Sequence, residues 1–251
     1  MHKEPEILIT CALRPEASAI AGRMTGARRV SIGNHPGHRG VFAGHDMLLV
    51  RAGPGSNAAR MGTASALDFA KPKILINFGT AGAIDSALAP GDCLISRAAF
   101  PYDPAAVASN CPNSSPGAPE TQRQNGVSLS SHLCNQLAGA SEEARFAVFG
   151  SADYSVSDPA TRDRLRRQYG FDAVDWETFA VLRLAEERGV PAFAFRVITD
   201  RAGPAAGEEF LSLHRQLLAQ AAERLERILE GLDLTACKTD CRGETGRRAS
   251  Y

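Results

Sequence analysis

Three acidic residues stand where an acid can act on a ligand, just after an apolar run. Glu16 lies a short turn beyond residues 6–11 (EILITC), Glu177 follows residues 173–175, and Asp200 follows residues 191–199. A carboxyl group set behind Phe, Ala and Val is partly desolvated, which raises its pKa and keeps a proton in hand for a leaving group. Each acid also has an ordinary alternative. On sequence alone Asp200 reads more readily as a solvated loop acid, and Glu177 and Glu16 read as first-turn acids that complement a helix dipole.

Two glycine turns accompany the acids. Gly53-Pro54-Gly55, with Ala58 three residues on, has the form of a dinucleotide fingerprint between a strand and a helix. The next strand ends in Asn77-Phe78-Gly79 and offers no acid to hold a ribose, so a tight turn with close helix packing is favoured over a nicotinamide cofactor. Gly79-Thr80-Ala81-Gly82 is small throughout. Such a stretch lets a ligand approach the backbone, with the Thr hydroxyl and the amides as donors, or simply packs a sheet against a loop. His35, His38 and His45 invite a metal reading, but their Pro-Gly setting favours an exposed turn. Cys237 and Cys241 sit in a polar stretch without the spacing of a zinc site, so no metal is expected.

The elements that must position these groups alternate between strand and helix. Strands are expected at residues 6–11, 29–32, 41–43, 47–51, 74–78, 93–97, 145–149 and 191–199, with Gly33 to Gly37 as a turn. Helices are expected at 14–24, 56–69 (capped by Ser56 or Asn57), 128–139, 158–169, 177–188 and 208–229. Asp158-Pro159 marks one helix start, and Gly170 and Gly189 mark two ends. Residues 101–125 read as a long loop rich in Pro, Ser, Asn and Gly. The apolar face of 208–229 reads as core before it reads as an oligomer contact. The alternation predicts one α/β domain over residues 1–231, a three-layer α/β/α sandwich with a mixed, twisted sheet, followed by a polar tail at 232–251.

The chain of 251 residues is 44% hydrophobic and carries 28 basic and 28 acidic residues. That balance gives no reason to expect a nucleic-acid surface or an anionic membrane as partner. There is no apolar run of the roughly 20 residues that span a bilayer and no signal-peptide pattern, so a cytoplasmic protein is expected.

Taken together, four stretches resemble the nucleoside phosphorylase and nucleosidase superfamily, above all the methylthioadenosine/adenosylhomocysteine nucleosidases and the hopanoid-associated phosphorylases. They are residues 9–16 (ITCALRPE), 76–83 (INFGTAGA) with Pro90-Gly91-Asp92, 174–178 (VDWET) and 195–200 (FRVITD). The resemblance spans about residues 6–230. It implies cleavage of the N-glycosidic bond of a purine nucleoside, with Asp200 as the acid that protonates N7 of the base and Glu177 as acceptor for the ribose hydroxyls. It places Thr80, Ala81, Gly82 and Thr199 near sugar and base, and Tyr154, Ser155 and Val156 against the base. No cofactor is implied, and a homo-oligomer is.

The same resemblance leaves two nucleophiles to weigh. Glu16 falls where the nucleosidases position water, and Asn77 stands where phosphorylases place an arginine. A carboxylate at Glu16 repels a phosphate dianion. Arg14 and Arg51 are the cations that would favour inorganic phosphate as co-substrate. Hydrolysis is therefore expected, with phosphorolysis as the alternative and a non-catalytic nucleoside-binding module as the reading from another class. Trp176 departs from the methionine usual at its place and is expected to reshape the sugar pocket.

Overall fold

Residues 7–11 are all buried because the strand they form is central and has helices over both of its faces. In this computed structural model, which describes residues 4–108 and 125–234, β1 (Ile7–Cys11) runs parallel to β4 (His45–Arg51) on one side and to β5 (Ile74–Ala83) on the other. Successive side chains on a strand point to opposite faces. Ile7 and Ile9 accordingly join one core with α1 (Arg14–Ala21) and α7 (Ala206–Glu230), while Leu8 joins another with α2 (Ser56–Phe69) and α6 (Thr178–Glu187). Each such side chain contributes about 1.5–3 kcal/mol by leaving water. The long α7 buries Leu218, Ala221, Ala222, Leu225 and Leu229, spaced three and four apart, so its apolar face is core.

The sheet is mixed, as the alternation predicts. β2 (Thr25–Ile32) and β3 (His35–Phe42) form a hairpin, and β3 pairs antiparallel with β4. Beyond β5 the sheet turns back on itself. β10 (Ala192–Asp200) pairs parallel with β5 and antiparallel with β6 (Cys93–Pro101). β6 pairs with β8 (Arg145–Ser151), β8 with β9 (Ala173–Asp175), and β9 with the last residues of β5. A short β7 (Val127–Ser128) also joins β6. The five strands β5, β10, β6, β8 and β9 thus pair in a closed circuit, and the open part of the sheet continues from β5 through β1, β4 and β3 to β2.

Several local expectations need correcting. Residues 79–82 do not form a turn after β5 but continue it, because β10 goes on pairing with them as far as Asp200 opposite Gly82. The expected turn of five residues is only Gly33-Asn34. His35 and His38 lie half-buried in β3 and His45 opens β4, so the histidines are strand residues and not an exposed turn. Gly37 is likewise a strand residue, free of a side chain because a β-carbon there would collide with the carbonyl of Leu49.

Helix α2 is capped neither by Ser56 nor by Asn57. Gly55 occupies the N-cap with φ +87°, and Asp153 from a distant segment accepts from the Ser56 N–H at 2.7 Å. α5 (Pro159–Arg164) does start on Asp158, whose carboxylate accepts from Thr161 N–H at 2.8 Å, and it passes through one wide turn to Gly170 at φ +70°. α4 (Ser131–Leu137) is shorter than expected, and α3 (Pro104–Ala108) adds a short helix where a loop is expected. Residues 109–124 of the expected loop, Cys111 among them, and the later Cys237 and Cys241 lie outside the described residues. The domain runs past residue 231, since Leu232 and Leu234 are buried in the core. Among the described residues no helix is long and apolar enough to cross a membrane.

Candidate active site

The ends of β1, β5, β9 and β10 surround a cavity of about 540 Å³. Glu16, Glu177 and Asp200 all line it. Thr80, Ala81, Gly82 and Thr199 reach it from β5 and β10. Tyr154, Ser155 and Val156 reach it from the segment after β8, and Trp176 from the turn between β9 and α6. Every site residue expected from the sequence is therefore at one place. Arg14 and Arg51 are not in the lining.

Glu16 is the third residue of α1, and Oε2 of its carboxylate accepts from the N–H groups of Ala12 and Leu13, each at 2.8 Å. This reach back over the first turn is one half of a capping box and draws the acid inward, where only 2% of the residue is exposed. Burial pushes its pKa up, against the pull of Arg196 and of the backbone N–H groups.

Glu177 occupies the N-cap of α6 but does not cap it; Asp175 does, accepting from Thr178 N–H at 3.2 Å. The Glu177 carboxylate accepts instead from Gly55 N–H at 2.8 Å. The Gly53-Pro54-Gly55 turn, with φ +108° and +87° at its glycines, is what brings that N–H to the acid. Burial raises the Glu177 carboxyl to about 7, with Arg196 opposing and the charges of Asp175 and Glu16 adding to the rise.

Asp200 ends β10 just after a break in the pairing register with β5, which passes from Ile198–Ala81 to Asp200–Gly82 and leaves Thr199 over. Such a bulge re-aims the side chain that follows. Oδ2 lies 3.0 Å from the Thr199 hydroxyl and Oδ1 accepts from Ala202 N–H at 3.0 Å. The turn that delivers this N–H holds Ala202 at φ +45°, a left-handed conformation that costs a β-carbon-bearing residue about 1–2 kcal/mol. Burial raises the Asp200 pKa; Ala202 N–H and the Thr199 hydroxyl oppose the rise.

One cation serves this group of acids, and it is not among the site residues expected from the sequence. Arg196 is 1% exposed. Its Nε donates to Asp175 Oδ2 at 2.7 Å and its Nη2 to Asn77 Oδ1 at 2.5 Å, with Glu177 Oε2 at 3.8 Å from Nη2. Asp175 in turn accepts from the hydroxyls of Ser151, at 2.6 Å, and Thr178. Gly79 leaves room for the assembly, since a β-carbon there would press on Arg196 and lie 2.8 Å from Glu16 Oε1. The signal in the sequence is a single arginine inside the apolar run FAFRVIT: a charge buried there has to be paired.

Chemically, the cavity presents a partly buried acid with a raised pKa, a second acid poised near neutrality, and a third held against backbone N–H groups. That set can protonate one end of a ligand, accept from its hydroxyls and orient a small nucleophile. Among the described residues no group of three or more His, Cys, Asp or Glu is arranged to hold a metal ion.

The family model described as "Phosphorylase superfamily" matches residues 6–232. A 5′-methylthioadenosine/S-adenosylhomocysteine nucleosidase of Tolumonas auensis is 27% identical over 215 residues, 83% of this chain and 93% of that one. The protein of that name from Bacillus cereus is 25% identical over 233 residues, 90% and 99% of the two chains. Among solved structures, the S-adenosylhomocysteine nucleosidase of Streptococcus pyogenes in complex with 5-methylthiotubericidin superposes with a TM-score of 0.79 at 22% identity, covering 93% of this chain and 99% of that one. The futalosine hydrolase of Helicobacter pylori superposes with a TM-score of 0.79 at 21% identity, covering 92% and 100%. At these identities the superpositions show a shared fold.

Proposed function

The chain belongs to the phosphorylase superfamily, and from that membership we propose that it is a nucleosidase that hydrolyses the N-glycosidic bond of a purine nucleoside. The observation that carries the proposal is the convergence of Glu16, Glu177 and Asp200, from three separate parts of the chain, on one cavity. Its volume falls in the range that encloses small ligands.

In this reading Asp200 donates its proton to N7 of the base. The glycosidic bond breaks, its electron pair leaves with the base as a neutral molecule, and the ribose takes on oxocarbenium character. Glu177 accepts hydrogen bonds from the ribose hydroxyls. Glu16 takes a proton from the water that adds to the anomeric carbon, so the reaction ends with Asp200 ionised and Glu16 protonated, and solvent exchange resets both. Arg196 balances charge within the set and fixes Asp175, which caps the helix that follows Glu177. The chemistry calls on no metal and no cofactor.

Two features favour water over phosphate. The Asn77 amide is already engaged by Arg196 at 2.5 Å. The Glu16 carboxylate lines the cavity, and like charges repel strongly in a low-dielectric site. The test is release of free base from purine nucleosides, adenosine and 5′-methylthioadenosine first, with and without inorganic phosphate. Release without phosphate is expected, giving free ribose from adenosine and 5-methylthioribose from 5′-methylthioadenosine. Release only with phosphate, giving the corresponding sugar 1-phosphate, would overturn the role of Glu16.

A further inference from the structure

Trp176 is the one tryptophan of the chain, and its indole N–H donates to the backbone carbonyl of Tyr154 at 3.1 Å. Both residues line the cavity. The acceptor belongs to a strap, residues 152–157, that crosses from β8 to α5 without regular structure. Ties on the strap are few. Ala152 N–H donates to Asp175 carbonyl at 3.0 Å and Tyr154 N–H to Ala152 carbonyl at 2.6 Å. Asp153 binds the N–H and hydroxyl of Ser56 at 2.7 and 2.5 Å. Beyond Tyr154, the backbone N–H and C=O of Ser155 and Val156 make no hydrogen bond among the described residues. A donor and an acceptor left unpaired beside a cavity suit the edge of a heterocyclic base, provided the strap is held still.

We infer that Trp176 is a positioning residue that sets base affinity, its indole N–H holding the Tyr154 carbonyl and thereby the strap that meets the base. This rests on the reading of the cavity as a nucleoside site. Trp176 sits next to Glu177, so one turn serves the sugar with a carboxylate and the base through the strap. A methionine at this place has no N–H to donate, and neither has phenylalanine. The indole is 38% exposed, so neither replacement empties the core. Loss of the tie leaves the acids in place and loosens the base-side wall equally for bound substrate and transition state. The effect therefore falls on KM and spares kcat.

The experiment compares Trp176→Phe and Trp176→Met with wild type in base release from adenosine and 5′-methylthioadenosine. It also measures calorimetric affinity for the same nucleosides in an Asp200→Asn background, which slows turnover. Both variants are expected to raise KM and weaken binding by about five- to tenfold, the worth of one ordinary hydrogen bond, with kcat within about twofold. Their thermal unfolding should stay close to wild type. Unchanged KM and affinity in Trp176→Phe, with a loss only in Trp176→Met, would show that the ring acts and not its N–H, and would overturn the inference while leaving the proposed reaction intact. Binding without base release in wild type would remove the reaction and leave the affinity comparison to decide on Trp176. No binding of either nucleoside to wild type would overturn both.

Discussion

Asp200 and Gly82 face each other across paired strands, and a β-carbon added to Gly82 would lie 2.9 Å from Oδ1 of Asp200. The glycine is thus part of how the acid is aimed. Gly82→Ala is expected to push the carboxylate off its bonds with Thr199 and Ala202. Base release should fall at least tenfold, with a loss of stability of about 1–3 kcal/mol from overpacking. Steady-state rates and denaturant unfolding on the same preparation separate the two effects, and a variant with unaltered turnover would contradict the aim assigned to Gly82.

Asp200→Asn keeps the size of the side chain but has no proton to give. Base release should fall by about 10²–10⁴. In the proposed mechanism the acid works only while protonated, so wild-type activity should decline as pH rises through its raised pKa. A rate profile measured across pH for wild type and variant checks this, since the alkaline decline should vanish in the variant.

Glu177 also ties stability to pH. Its folded pKa of about 7 lies above the ordinary value of 4.5, so above pH 4.5 the unfolded chain gives up a proton that the folded chain keeps. Stability from this group is complete below about pH 4.5 and is lost as pH rises through about 7, falling by about 1.4 kcal/mol for each pH unit between those limits. Chemical denaturation at about pH 5 and about pH 8 should show wild type weaker at the higher pH, with the difference reduced in Glu177→Gln. A difference equal in the two proteins would assign the effect to another group.

Removing Arg196 leaves Asp175 buried without its cation. Arg196→Met should cost about 3–5 kcal/mol, the usual penalty of stranding one partner of a buried ion pair. Adding Asp175→Asn should restore part of it, because an uncharged amide is less costly to bury. Urea unfolding of the single and double variants measures the recovery, and a double variant as weak as the sum of the singles would argue against the pairing.

The three acids were legible because each follows an apolar run, and chain order alone sends strand ends toward one rim. Arg196 was not, because hydrophobic patterning describes its run as a buried strand and says nothing of which distant acid will meet it. The cap on α2 escaped for a similar reason: the turn at Gly55 carries no side chain, and its substitute, Asp153, lies 97 residues from Ser56. Small residues read as a turn at Gly79 to Gly82 because glycine is scarce in strands. Here the absent β-carbons make room for Arg196, Glu16 and Asp200 while the pairing continues. Helix limits shifted by a few residues where capping came from elsewhere, as with Asp175 in place of Glu177 for α6.

The closed circuit of β5, β10, β6, β8 and β9 has a consequence for what the molecule can attach to. A strand bonded on both flanks has no free edge, so no extended peptide can add to the sheet where β5, β10, β6, β8 and β9 are paired on both sides. Among the described residues β2, at the end of the path that leads away from β5, has a free flank, as does the two-residue β7 that is bonded only to β6; β2 carries the exposed Arg28 and Arg29. Charges on an outer strand discourage strand-to-strand growth. Among the described residues strand addition is therefore left to β2 and β7, and the doubly bonded strands beside the cavity are closed to it.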